Sequence, residues 1–309
     1  MNPFTRQAAR SVASLGEERL IDSLRLWLGE SSPPPPRGIG DDCAVLRPSR
    51  RIQLLTVDSV IYGRHFDDRA RPEDAGAKLL KRNLSDLAAM GAKPTAAVVA
   101  LTLAPSVTLD WIERFYRGLA AAATRYKVPI VGGDVAQSEG FAAILTLLGE
   151  AAGPRILTRK GARTGDWIYV TGQLGASLQS GHHFRFEPRL AEGAWFARRR
   201  EVRSMIDLSD GLAKDLPALA PPGAEGALFS SAIPRRRGAG LKAALCDGED
   251  YELLVSLAAR ADRAAFARSW RQSFPRTRLT CIGRFVSRNK TLPGTIRPGE
   301  YRGYEHLRR

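Results

Sequence analysis

A two-domain α/β or α+β protein is the fold class that this sequence predicts. Strand-like and helix-like stretches alternate in both halves of the chain. The segment Ala151-Ala152-Gly153-Pro154 breaks the pattern near the midpoint and marks a domain boundary, giving domains 1–150 and 151–309. A length of 309 residues with 44% hydrophobic content suffices for two cores.

The elements follow in chain order. Apolar residues at helical spacing predict a helix over Glu17–Leu28. Ser31-Ser32-Pro33-Pro34-Pro35-Pro36 excludes helix and predicts an extended loop. Ile52–Val57 is a short apolar run of strand length, closed by Asp58, and Pro72–Met90 is long enough for a major helix. Ala96–Leu103 and Phe141–Leu148 read as strands, with a helix over Trp111–Tyr126 between them. In the second half Trp167–Thr171, Tyr251–Ser256 and Leu279–Phe285 read as strands, and Leu212–Leu219 as a short helix.

Charge and cysteine usage narrow the classes. Lys and Arg number 47 against 32 Asp and Glu, so the net charge is 47 − 32 = +15, which favours anionic partners without choosing among them. Cys43, Cys246 and Cys281 are far apart and form neither a CxxC pair nor a disulfide framework, as expected in a reducing compartment. The longest apolar run, near Ala96–Ala104, is too short to span a bilayer. The first residues lack the apolar stretch of a secretory signal, so a cytoplasmic protein is expected.

Against that basic background, five acidic sites stand out. Four pair Asp with Gly, Ser or Thr: Gly38-Ile39-Gly40-Asp41-Asp42, Thr56-Val57-Asp58, Gly132-Gly133-Asp134 and Asp207-Leu208-Ser209-Asp210-Gly211. Each alone is as well explained by a turn or a helix cap. The fifth, Asp86, lies inside a helix. At about 100° per residue, Leu79, Asn83 and Met90 fall within roughly 60° of it, so Asp86 and Asn83 border the apolar arc. Lys78, Lys81, Arg82 and Ser85 group on the other side. A carboxylate beside an apolar arc needs a cation or several donors, and a buried cap is the competing account. Taken together, five such sites in a +15 chain fit convergence on hard cations, because Mg²⁺ takes oxygen ligands and bridges carboxylates to phosphates. GxxxxGK[ST] is absent, as are the HRD and DFG elements of protein kinases and the GxSxG elbow of hydrolases.

In these residues the sequence resembles the thiamine-monophosphate kinase family, part of the aminoimidazole ribonucleotide synthetase-like ATP-binding superfamily. Further matching motifs are Gly16-Glu17, Gly63-Arg64-His65-Phe66, Asn83-Leu84-Ser85-Asp86-Leu87-Ala88-Ala89-Met90-Gly91, Gly248-Glu249-Asp250-Tyr251-Glu252-Leu253-Leu254 and Ile282-Gly283-Arg284, in the family's order over nearly the whole chain. The resemblance implies an N-terminal α/β domain that binds ATP and Mg²⁺ and pairs with its copy in a homodimer, and a C-terminal α/β domain that completes the active site. It implies Mg²⁺ ligation, two ions or more, by Asp42, Thr56, Asp58, Asp86, Asp134, Asp207 and Asp210. Nucleotide contacts fall by position on Tyr116, Gly133, Asp134, Arg159 and Ser209. Thiamine contacts fall on His65, Glu249 and Tyr304, an aromatic ring suiting a cationic heterocycle. Arg159 also reads as a solvated turn and Tyr304 as a surface aromatic.

Three positions depart from the family pattern. Val57 stands where a second Thr is usual, Asp247 where a Gly is usual, and 217–245 is short. The implied chemistry is direct in-line transfer from ATP to thiamine monophosphate, the last step of thiamine diphosphate formation, with no protein nucleophile. Alternatives are a superfamily enzyme with another acceptor or a nucleotide-binding non-enzyme. The basic runs Arg198–Arg200, Arg235–Arg237 and Leu307-Arg308-Arg309 lack interleaved aromatics and read as solvated surface, so neither a nucleic-acid nor a membrane partner is expected.

Overall fold

The structure is a computed structural model that describes residues 1–40, 42–290 and 292–304. Asp41 and the basic tail Leu307-Arg308-Arg309 lie outside the described residues. The chain forms two compact units, one of residues 1–87 and 93–150, the other of 88–92 and 151–309. No described helix is long and apolar enough to cross a membrane.

In the first unit a four-stranded sheet runs in the order β1-β4-β2-β3. Its strands are β1 (Gln53–Ile61), β2 (Ala92–Leu103), β3 (Ile130–Gln137) and β4 (Phe141–Ala151). β1 pairs antiparallel with β4, placing Thr56 opposite Leu147 and Asp58 opposite Leu145. β2 and β3 are parallel. The helices are α1 (Glu17–Leu28), α2 (Pro72–Ala89) and α3 (Leu109–Tyr126). α3 starts at Thr108, whose hydroxyl accepts from the Trp111 N–H at 3.3 Å, and stops at Lys127 in the left-handed region. Its Trp111 stacks on Phe66 and on Phe115, and both Trp111 and Phe115 meet Phe141 edge to face in a buried aromatic group. α2 and α3 approach closely because glycines sit at the crossing. A Cβ on Gly76 would stand 2.0 Å from the Phe115 carbonyl oxygen, and one on Gly118 2.1 Å from that of Glu73.

Three local expectations are corrected here. β1 continues through Ile61, so Asp58 lies inside the strand, not at its end. Gly132-Gly133-Asp134 is part of β3 rather than a turn, since pairing with Val98–Ala100 of β2 continues through it. α2 has no exposed residue: Lys78, Lys81, Asn83 and Ser85 are all buried.

The second unit carries a six-stranded sheet in the order β10-β7-β9-β5-β8-β6. Its strands are β5 (Trp167–Thr171), β6 (Val202–Asp207), β7 (Ala224–Phe229), β8 (Leu253–Leu257), β9 (Leu279–Ser287) and β10 (Thr295–Ile296). The helices are α4 (His182–Arg185), α5 (Leu190–Ala197), α6 (Leu212–Leu219), α7 (Leu241–Cys246) and α8 (Arg263–Ser273). Alternation along β5 separates two cores. Ile168 and Val170 pack with Leu212 and Leu216 of α6, while Tyr169 packs with Phe196, Phe266 and Trp270 of α5 and α8. Tyr251 precedes β8 in a left-handed turn, so the strand starts two residues later than expected, at Leu253.

Candidate functional site

Two periodicities match where β1 meets α2. Side chains at i and i+2 of a strand share a face, as do those at i and i+4 of a helix. Thr56 and Asp58 therefore point the same way, toward Asp86 and Arg82. The Thr56 hydroxyl donates to Asp86 Oδ2 at 2.5 Å. Arg82 Nη2 donates to Asp58 Oδ1 at 3.0 Å, and Nη1 to the Ser59 carbonyl at 2.6 Å. The Arg82 side chain is 11% exposed and that of Asp58 27%, so this pair is partly shielded from water. Arg82 thus does not group with Lys81 on the side of α2 away from Asp86, which corrects the expected grouping. Four residues from Asp86, it lies about 40° around the helix and joins the same polar row. Val57 falls on the opposite face of β1, so the Thr usual there would also point away from Asp86.

At the turn after β1, His65 Nδ1 accepts from the Ile61 N–H at 3.0 Å. In the neutral ring this leaves the hydrogen on Nε2. The fully buried Lys78 donates to the His65 carbonyl at 2.9 Å and holds the turn.

A cavity of about 110 Å³ opens between α1 and β3. Ile21, Leu24 and Leu28 form one wall, and Tyr116, Gly133 and Asp134 take part in the rest. Tyr116 is 3% exposed and burial pushes its phenol up, so it stays neutral. Gly133 is required here, because a Cβ would stand 2.1 Å from the Val99 carbonyl oxygen. The mostly apolar lining suits a flat heterocycle, with polar atoms at one edge. Asp42 is exposed on the loop before β1 and is not among the lining residues.

The second unit assembles its own group of expected residues. β6 delivers Asp207, 4% exposed, to the start of the loop that leads into α6. The Glu249 N–H donates to the Ser209 carbonyl at 2.7 Å, and the Tyr304 N–H to that of Asp210 at 3.0 Å. Lys214 bridges Asp210 Oδ2 at 2.9 Å and the Tyr304 carbonyl at 2.6 Å. Ser209, Asp210, Glu249 and Tyr304 thus meet through backbone bonds that their spacing in sequence could not reveal. The Asp215 carboxylate accepts from the Asp210 N–H at 3.0 Å, and burial raises its pKa to about 6. Asp247, the departure from the family pattern, accepts from the Ala176 N–H at 2.8 Å and so ties two loops together. Arg159 is exposed, next to Thr158, whose carbonyl accepts from the Met205 N–H of β6 at 3.0 Å.

Among the described residues no group of three or more His, Cys, Asp or Glu converges closely enough to hold a metal ion by itself. The side chains nevertheless suit Mg²⁺, which is usually held by one or two carboxylates together with substrate phosphates. Thr56, Asp58 and Asp86 offer only hard oxygen donors. One turn before Asp86, the fully buried Asn83 Oδ1 has no hydrogen-bond partner among the described residues. Sequence reasoning passed over the pairing of Arg82 with Asp58. The i, i+4 offset from Asp86 was the available signal for it.

Residues 40–151 match the family described as AIR synthase related protein, N-terminal domain. The chain is 36% identical to the thiamine-monophosphate kinase of Escherichia coli strain K12, over 87% of this chain and 91% of that one. It superposes on the thiamine-monophosphate kinase of Stenotrophomonas maltophilia K279a with a TM-score of 0.73 at 31% identity, covering 88% and 95% of the two chains. AaThiL complexed with AMPPCP and TMP matches with a TM-score of 0.68 at 28% identity, covering 95% and 99%.

Proposed function

Because the chain belongs to the thiamine-monophosphate kinase family, we propose that it transfers the γ-phosphoryl group of ATP to thiamine monophosphate, releasing thiamine diphosphate and ADP. The observation that carries this reading is the 36% identity to a curated thiamine-monophosphate kinase over nearly the full length of both chains. The relative bound to AMPPCP and TMP supports the same pair of substrates.

A phosphate oxygen of thiamine monophosphate attacks the γ-phosphorus. The bond to the bridging oxygen breaks, and ADP leaves with that electron pair. The nucleophile is already anionic, so no protein base is needed and positioning carries the catalysis. In this reading the cavity beside Tyr116 and Gly133 takes the base and ribose of ATP. Asp42, Thr56, Asp58, Asp86 and Asp134 serve as metal ligands in the first unit, and Asp207 and Asp210 do so in the second. Two or more Mg²⁺ ions so held would neutralise charge on the polyphosphate. Arg159 and Ser209 contact nucleotide, and His65, Glu249 and Tyr304 contact the acceptor. His65 would offer its Nε2–H as a donor.

We also propose a homodimer through the first sheet. Leu55 and Val57 are 71% and 59% exposed on the face of β1 turned away from α2, and Val98 of β2 is also exposed. Such an apolar surface needs a partner. A cytoplasmic location fits three unpaired cysteines.

The test is ADP release by purified protein with ATP, Mg²⁺ and thiamine monophosphate. Turnover should require all three. Equal ADP release without the thiamine compound refutes the acceptor assignment.

A further inference from the structure

Glu249 is held more tightly than a surface carboxylate needs to be. Its backbone is left-handed at φ +63°, which is unfavourable for a side-chain-bearing residue. Its N–H donates to Ser209, and its carbonyl accepts from the Ser177 hydroxyl at 2.6 Å. The flanking residues lock the same turn. Asp247 accepts from the Ala176 N–H, while the Asp250 carboxylate accepts from the Gly175 N–H at 3.0 Å and pairs with Arg236 at 2.9 Å. These bonds fix the Glu249 backbone but leave its side-chain torsions undetermined.

His183 restrains the side chain itself. It sits in α4, with its ring centroid 3.9 Å from that of Phe184. Its Nδ1 stands 3.1 Å from Glu249 Oε2, with the two side chains 10% and 18% exposed. A partly shielded pair of this kind sets the plane of the carboxylate. It thereby sets the direction in which Glu249 can receive a donor-bearing or cationic group of a ligand. Ordering a Glu side chain costs up to about 2 kcal/mol of rotamer entropy. A pair formed before binding removes that cost from the binding step.

We infer that His183 is a positioning residue for the phosphoryl acceptor, acting through Glu249, so that it governs acceptor affinity and not the transfer step. The inference rests on the reading of Glu249 as an acceptor contact.

Three variants test it by steady-state kinetics, with ATP and thiamine monophosphate varied in turn. His183→Leu should raise KM for thiamine monophosphate by about tenfold, with kcat and KM for ATP within about twofold of the parent. His183→Asn, whose amide nitrogen falls near the position of Nδ1, should recover most of the loss. Glu249→Gln should raise the same KM, and adding His183→Leu to it should have little further effect. Should His183→Leu fail to fold, His183→Gln replaces it, since its amide falls nearer Nε2. If Glu249→Gln raises the acceptor KM while the His183 variants do not, the positioning role is refuted and Glu249 keeps its assignment. If Glu249→Gln leaves that KM unchanged, the Glu249 reading fails and the inference with it. Equal effects of His183→Leu on kcat and both KM values would indicate general structural damage and also refute the inference.

Discussion

Asp86 sits beside the apolar arc of a helix, a place where a carboxylate needs a partner, and the Thr56 hydroxyl meets it at 2.5 Å. As a proposed Mg²⁺ ligand it should be sensitive to loss of charge alone. Asp86→Asn keeps shape and an acceptor for Thr56, so folding measured by circular dichroism should survive. Mg²⁺-dependent ADP release should fall by at least about a hundredfold. Activity close to that of the parent would remove Asp86 from the metal set. Arg82 is the converse case. It was expected on the side of α2 away from Asp86, whereas it pairs with Asp58 and is largely buried. An i, i+4 offset of about 40° puts Arg82 and Asp86 on one side of the helix.

At the scale of elements, the polar row works because a strand and a helix present side chains at repeats that coincide. Thr56 and Asp58 span one strand repeat, and Asp86 and Arg82 span about one helical turn. The turn into α6 carries a different prediction. Burial raises the Asp215 pKa from 3.8 to about 6. The folded state therefore holds this proton more tightly than the unfolded chain does. The stability it contributes is fully present below pH 3.8 and is lost as pH rises through about 6. Replacing Asp215 with Asn, which still accepts from the Asp210 N–H, should flatten the decline between pH 4 and 7 by roughly 2–3 kcal/mol. Denaturant unfolding across that range measures it, and an unchanged slope in the variant counts against the raised pKa.

For the whole molecule, the exposed apolar face of β1 is the most consequential surface. Leu55, at 71% exposure, lies on the face away from the polar row. A carboxylate placed there would be desolvated by a partner copy. Leu55→Asp should shift the mass in analytical ultracentrifugation from dimer to monomer while the protomer stays folded. A parent that sediments as a monomer, or a variant that remains dimeric, would rule out dimerisation through this face.

Much of the fold was legible from local pattern. Helices over Glu17–Leu28 and Leu212–Leu219 and a strand over Trp167–Thr171 have the bounds that apolar spacing predicts. Boundaries failed where pairing overrode composition, as at Gly132-Gly133-Asp134, whose turn-like residues are carried into β3 by β2. The sequence by itself determined the family, the acidic motifs and their order, because each is a matter of residue type at short spacing. Only the tertiary structure decided that Arg82 faces Asp58, that Asp210 is tied to Tyr304, and that His183 reaches Glu249. Those partners are 24, 94 and 66 positions apart. A local period orients a side chain on its own element, whereas long-range packing chooses what that side chain meets.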